Sequence, residues 1–208
     1  MQVRKLAVEG ALEFTPKVFP DDRGLFVSPY QEAAFVEATG GPLFGVSQTN
    51  HSKSQRDVVR GVHFTLTPPG VAKYVYCAQG KALDIVVDIR LGSPTFGKWD
   101  AVVLDQEAFR AVYLPVGLGH AFVALEDDTV MSYLLSESYV AEIELAVSVL
   151  DPVLGLPIPE GIEPIMSERD LAAPTMAQAR EKGILPDYDT CRKIEARDLA
   201  VAGAKGDR

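Results

Sequence analysis

The sequence predicts an all-β fold, an antiparallel sandwich or barrel with short peripheral and C-terminal helices. Three observations lead there. Short apolar runs recur at close spacing, Gly, Pro and Asp turns separate them, and helical periodicity is confined to three segments. In chain order, Leu12–Val18 and Gly24–Tyr30 are strands flanking the turn Asp21-Asp22-Arg23-Gly24. Gln31–Thr39 follows as a short amphipathic helix. Leu43–Thr49 and Val58–Leu66 read as strands, the second ending at Thr67-Pro68-Pro69-Gly70. Lys73–Cys77, Ala82–Ile89, Trp99–Leu104, Ala111–Leu114, Ala121–Leu125 and Val130–Leu135 complete the β set. Their separators include Gly92-Ser93-Pro94 and Glu126-Asp127-Asp128. A helix over Thr175–Lys182 begins after Pro174 and stops at Gly183, and Thr190–Leu199 is a C-terminal helix. Val201–Arg208 reads as a frayed tail. No repeat or low-complexity linker interrupts the pattern, so one domain over residues 1–208 is expected.

Composition narrows the function. Among 208 residues, 47% are hydrophobic, which suffices for a packed core. The net charge of −9 argues against nucleic acid as a partner. It leaves room for a small anion, because a few local cations can hold a phosphate; Arg23, Arg60, Lys73 and Arg169 are candidates. No apolar run approaches the ~20 residues that span a bilayer, and the N-terminus lacks the apolar stretch of a secretory signal. Cys77 and Cys191 are too few for a disulfide framework. A cytoplasmic protein with no membrane or nucleic-acid partner is expected.

The chemistry concentrates between Gln48 and Gly80. His63 and Lys73 lie on consecutive strand-like runs, with Arg60 just upstream. An imidazole can take a proton at neutral pH, and an ammonium can stabilise an oxyanion. Alternation places Lys73, Val75 and Cys77 on one face of their strand. Strict alternation would put Arg60 and His63 on opposite faces, unless Gly61 marks a bulge. Pro115-Val-Gly-Leu-Gly-His120 adds a second histidine behind a Gly/Pro turn.

These two segments resemble the paired motifs of a cupin, which implies a jelly-roll β-barrel. Metal-binding cupins carry a His-x-His pair and a Glu in the first motif. Here His63-Phe64-Thr65 has threonine at the second ligand position, and Lys73 stands where the Glu is usual. An ammonium repels a divalent cation, so neither metal nor other cofactor is expected. A closer resemblance is to the dTDP-4-keto-6-deoxyhexose (dTDP-4-dehydrorhamnose) 3,5-epimerase family. It rests on Asp22-Arg23-Gly24, Gln48-Thr-Asn-His-Ser-Lys-Ser54, Val59-Arg-Gly-Val-His-Phe64, Ser93-Pro-Thr-Phe-Gly97, Pro115-x-Gly-x-Gly-His120-Ala-Phe122 and Ser167-Glu-Arg-Asp170. Thr67-Pro-Pro-Gly-Val-Ala-Lys73-Tyr74 is similar to members that make unusual deoxysugars for natural products, particularly those of vancosamine-type pathways.

The resemblance implies an isomerase that inverts C5, or C3 and C5, of a dTDP-4-keto-6-deoxyhexose. In it His63 is the base, Asp170 orients the imidazole, Lys73 stabilises the enolate oxygen and Tyr133 returns a proton from the opposite face. Arg23, Gln48, Asn50, Arg60, His120, Tyr139, Glu144 and Arg169 would contact substrate, and the protein would be a homodimer with exchanged N-terminal strands. Read alone, each residue has another use. His63 and His120 serve equally as hydrogen-bonded structural histidines, and His51 reads as a backbone-bonding turn residue. Tyr133 suits a barrel tyrosine, Asp170 a helix cap or surface acid, and Tyr139 an alternative proton donor. Ser28, Thr65 and Arg169 depart from the residues commoner in the rhamnose pathway, namely Glu, Gln and Lys. A sugar-nucleotide 3,4-ketoisomerase and a non-catalytic sugar-nucleotide-binding cupin remain the alternatives.

The residue pattern predicts that EDTA leaves turnover of the sugar nucleotide unchanged. Activity lost to chelator and restored by one divalent ion would contradict it.

Overall fold

The structure is a computed structural model that describes residues 1–206, with side chains described over 1–197. Its strands are β1 (Gln2–Lys5), β2 (Leu12–Thr15), β3 (Val18–Asp21), β4 (Gly24–Val27), β5 (Gln48–Ser54), β6 (Val59–Thr65) and β7 (Lys73–Gln79). They continue as β8 (Lys81–Val87), β9 (Trp99–Asp105), β10 (Ala111–Leu114), β11 (Gly119–Ala124), β12 (Thr129–Leu135) and β13 (Glu144–Ala146). The helices are α1 (Glu32–Thr39), α2 (Glu168–Leu171), α3 (Met176–Glu181) and α4 (Tyr188–Gly206).

Two antiparallel sheets face one another, ordered β1-β2-β10-β7-β12-β5 and β13-β6-β11-β8-β9, and β3 with β4 forms a separate hairpin. The mostly β architecture with short helices is the one expected. Alternation decides what goes between the sheets. Val75, Cys77, Val86, Leu104, Val112, Phe122 and Met131 point inward and pack as one apolar cluster. The outer faces are also apolar, which is why β8 and β11 carry apolar residues on both faces. Val62, Phe64, Ile85, Val87 and Val123 are covered by Val147, Val149, Leu154, Met176 and Leu185 from the segment after β13. On the other side Phe35 of α1 stacks on Phe14 and meets Tyr74 and Tyr113 edge-on.

Several boundaries differ from the sequence reading. The strand expected at Leu43–Thr49 is β5, shifted to Gln48–Ser54. Its seven residues are all polar, so hydrophobic periodicity could not find it; backbone pairing to β12 makes it a strand. Leu43 and Phe44 instead pack beneath α1 as loop residues. β1 was not expected because an exposed edge strand needs no apolar face. β13 and α2 are too short to show a period. The segment expected to fray continues α4 to Gly206, as its alanine content favours; residues 207 and 208 lie outside the described residues.

The facing conflict between Arg60 and His63 is resolved by a bulge. Arg60 pairs with Phe122 and His63 with His120, so two residues of β6 oppose the single residue Ala121. Gly61 makes this close approach possible. Its φ is 119°, and a Cβ there would lie 2.5 Å from the His120 carbonyl oxygen and 2.6 Å from Ala121 Cβ. The extra residue turns Arg60 and His63 to the same interior face.

Gly61→Ala is therefore expected to lower stability by about 2–4 kcal/mol, because backbone and a buried methyl must both move. Urea unfolding at neutral pH measures it, and an unchanged midpoint would contradict the bulge argument.

Candidate active site

At one end the sandwich opens into a cavity of about 400 Å³ lined by side chains from both sheets. β6 contributes Arg60 and His63, β11 contributes His120 and Phe122, and β13 contributes Glu144. The facing sheet contributes Asn50 and Ser52 from β5, Lys73 from β7 and Tyr133 and Leu135 from β12; Tyr139 stands at the mouth. On β6, β7 and β11 alternation turns the cavity residues inward while Val62, Tyr74 and Ala121 next to them pack in the outer clusters.

His63 Nε2 donates to Asp170 Oδ1 at 2.6 Å. A carboxylate only accepts, so the proton sits on Nε2 and Nδ1 is the nitrogen left to receive another. Asp170 is 3% exposed, and Ser167 caps α2 by accepting from the Asp170 N–H. Burial pushes the Asp170 carboxyl upward. The hydrogen bond and charge of His63, the Ser167 hydroxyl and the Gly61 N–H outweigh burial and hold it below its ordinary value. Asp170 is thus neither the helix cap nor a surface acid, since Ser167 caps α2 and the Asp170 carboxylate is buried against His63.

Lys73 lies in the opposite sheet. Burial pushes its ammonium downward, and the charges of Glu144 and Asp84 counter that only in part. Among the described residues its ammonium makes no hydrogen bond, although Glu144 accepts one from the Thr65 hydroxyl at 2.5 Å. Tyr133 also faces His63 from the opposite wall, its hydroxyl 3.2 Å from Ser52 Oγ. Burial raises its pKa, Asp84 adds to the rise, and Ser52 and Arg60 oppose it. His120 Nε2 donates to Asp84 Oδ2 at 2.6 Å, and its ring meets Tyr133 edge-on.

The remaining expected residues divide. Asn50, Arg60, His120, Glu144 and Tyr139 reach the cavity. Gln48 sits just behind it, donating to Asn50 Oδ1 and accepting from the Tyr139 N–H. Arg169 is exposed and donates to the Glu144 carbonyl at 2.6 Å rather than lining the cavity. Arg23 is remote from it, paired with Asp21 on the exposed β3–β4 hairpin. His51 is not a turn residue; it lies in β5 and shares a hydrogen bond with Ser132. Sequence reasoning missed Asp84 and Ser52. The signal for Asp84 was a lone charge inside the apolar run Ala82-Leu-Asp-Ile-Val-Val87; Ser52 gave none. Among the described residues, no three His, Cys, Asp or Glu side chains converge as metal ligands. No described helix is long and apolar enough to cross a membrane.

The arrangement offers a base, an unpartnered cation and a phenol around one cavity, with base and phenol on opposite walls. Comparison with known proteins identifies the family. Residues 5–178 match the family described as dTDP-4-dehydrorhamnose 3,5-epimerase. A dTDP-4-dehydrorhamnose 3,5-epimerase of Streptomyces griseus is 49% identical over 189 residues, 91% of this chain and 94% of that protein. A 4-keto-6-deoxy sugar epimerase from the novobiocin gene cluster of Streptomyces spheroides superimposes with a TM-score of 0.88. It is 46% identical, covering 92% of this chain and 95% of that one. A 3'-monoepimerase of Streptomyces bikiniensis, solved with dTDP-quinovose, gives 0.90 at 43% identity, covering 95% and 99%. The chain belongs to the dTDP-4-dehydrorhamnose 3,5-epimerase family.

The Asp170–His63 pair predicts an acid-side stability difference. A carboxyl held below its ordinary value stabilises the fold at neutral pH, and that contribution disappears as pH falls below about 4. The urea midpoint of wild type should thus drop more between neutral and acid pH than that of Asp170→Asn. Parallel losses in the two proteins would contradict it.

Proposed function

We propose that this family member epimerises a dTDP-4-keto-6-deoxyhexose at the carbons flanking its C4 ketone, C5 and C3, without a cofactor. The observation that carries the reading is the placement of His63 on one wall of the cavity and of Lys73 and Tyr133 on the wall facing it. Protons at C3 and C5 are both acidified by the C4 carbonyl. His63 Nδ1 removes one, the electron pair moves onto the C4 oxygen, and the Lys73 ammonium stabilises the resulting enolate. Tyr133 then delivers its proton to the other face of the carbon, which inverts the centre. Asp170, held ionised, offsets the positive charge that develops on the His63 ring. The nucleotide supplies binding energy remote from the reacting carbon.

Relatives support this assignment through names that include 3,5-epimerases and 3-epimerases. The antibiotic-cluster relative supports a deoxysugar destined for a natural product, and the Thr67–Tyr74 segment supports a vancosamine-type sugar. We read the chain as one domain, since both sheet faces are covered by segments from its two ends. We also read it as a homodimer exchanging N-terminal strands. The β3–β4 hairpin exposes Phe19, Leu25 and Phe26 and carries Arg23 away from its own cavity, which suits insertion into a partner. Arg23, Gln48, Asn50, Arg60, His120, Tyr139, Glu144 and Arg169 remain the proposed substrate contacts.

The test is incubation with dTDP-4-keto-6-deoxyglucose in heavy water, followed by NMR. Deuterium should enter at C5 and C3 with inversion. No exchange, or a carbonyl moved to C3, would overturn the assignment. His63→Ala should lose about 10²–10⁴-fold in rate while still binding dTDP. Tyr133→Phe keeps base and enolate stabiliser but lacks the donor, so it should place deuterium in unepimerised substrate. Wild-type inversion by Tyr133→Phe would remove that residue from the mechanism.

A further inference from the structure

Asp84 is the charged residue that the proposed reaction leaves without work. It lies in the middle of β8, with its Cα opposite Phe122 on one side and Val102 on the other, and it is 0% exposed. Its Oδ2 accepts from His120 Nε2 at 2.6 Å. Its Oδ1 is the buried side-chain oxygen that has no hydrogen-bond partner among the described residues. A carboxylate half satisfied in a sheet interior is costly, and an apolar residue would fill the same place without that cost. Its surroundings suggest what the charge does. Ala82 and Val86 on its face of β8 lie between the sheets in one cluster with Val75 and Cys77, which share the face of Lys73 on β7. Asp84 therefore points into the same interior and acts electrostatically on Lys73 and Tyr133, the two groups of the wall opposite His63.

We infer that Asp84 is a positioning residue for the oxyanion end of the cavity: one oxygen fixes the His120 ring, and the carboxylate supplies the counter-charge that keeps Lys73 an ammonium. This rests on the enolate reading above. A lysine that must stabilise an enolate has to be charged yet leave its N–H donors free for substrate. A direct ion pair would occupy those donors. Asp84 avoids that conflict, because it interacts with Lys73 through space while its hydrogen bond goes to His120.

The other ionisable groups around Lys73 do not duplicate this role. Glu144 on β13 is the second carboxylate acting on Lys73, and it already accepts from Thr65. His63 and Arg60 on β6 belong to the base side, and His120 on β11 is held by Asp84 itself. Tyr133 on β12 is kept a neutral phenol by burial. Burial pushes the Lys73 ammonium downward, and Asp84 and Glu144 push it back. Removing the Asp84 charge lets burial prevail further, so Lys73 loses its proton at a lower pH. The alkaline limb of the rate profile should move in the same direction. A carboxylate that served only to hold the fold would change stability or the height of the profile without moving that limb.

The experiment compares kcat for dTDP-4-keto-6-deoxyglucose from neutral to alkaline pH in wild type and Asp84→Asn, with melting temperature and dTDP affinity measured beside it. Asparagine keeps an acceptor for His120 and removes the charge. The expected result is an alkaline limb lower by about one pH unit or more, with dTDP affinity unchanged. An active wild type whose limb stays in place in Asp84→Asn overturns this inference alone. A wild type that turns over no sugar nucleotide overturns the enolate reading and this inference with it. Should Asp84→Asn not fold, the same change is made in Lys73→Met. There the carboxylate has lost the cation it serves, so Asp84→Asn should raise the melting temperature of Lys73→Met. A lowered melting temperature would show that the charge serves the fold and not Lys73.

Discussion

The close approach of β6 to β11 at Gly61 is the constraint on which the site depends. A pleated strand turns alternate side chains to opposite faces, so Arg60 and His63 could not both face the interior in regular pairing. The additional residue between the Phe122 and His120 registers rotates the strand by one position. Everything downstream of it follows. His63 comes inside within reach of Asp170, Val62 and Phe64 stay on the outer core, and the Gly61 N–H helps to hold the Asp170 carboxyl below its ordinary value. A single glycine thus sets the place of His63, the partner of its ring and the packing behind it.

A sandwich built from a net negative chain keeps a cation, Lys73, in its interior. Desolvation works against Lys73, and the sequence places two carboxylates near it without joining either to it directly. The same reasoning separates the two histidines. Both donate from Nε2 to a carboxylate at 2.6 Å, but His63 is about one-third exposed and His120 is nearly enclosed. Access to substrate therefore favours His63 as the base, and enclosure favours His120 as a fixed wall beside Tyr133.

At the β8–β9 connection a third charged group has a purely architectural effect. Arg90 is 1% exposed, forms a two-pronged pair with Asp88 at 2.9–3.0 Å, donates to the Glu9 carbonyl and lies over the Tyr188 ring. The hydroxyls of Ser93 and Thr95 donate to the same carboxylate, and Thr95 accepts from the Glu9 N–H. The Ser93-Pro-Thr-Phe-Gly97 motif therefore ties the N-terminal segment to the sheet, and Arg90 ties α4 to it. It carries family resemblance without facing the cavity.

Some of this was legible in the chain alone. Alternating apolar residues and turn chemistry determined the all-β class and most strands, because burial of one face leaves a period that any reader can count. The ordered motifs carried the family resemblance and with it the expected chemistry, whereas His63, Lys73, Tyr133 and Asp170 read singly suited structural uses as well. Tertiary structure decided what period and type cannot encode. β5 is a strand only because β12 pairs with it, and Asn50 and Ser52 become cavity residues through that pairing. Asp84 acquired its place from the strands packed around it. Gly61 left the choice between alternation and bulge open until β11 lay against it, because register is a property of two strands and a sequence presents them one at a time.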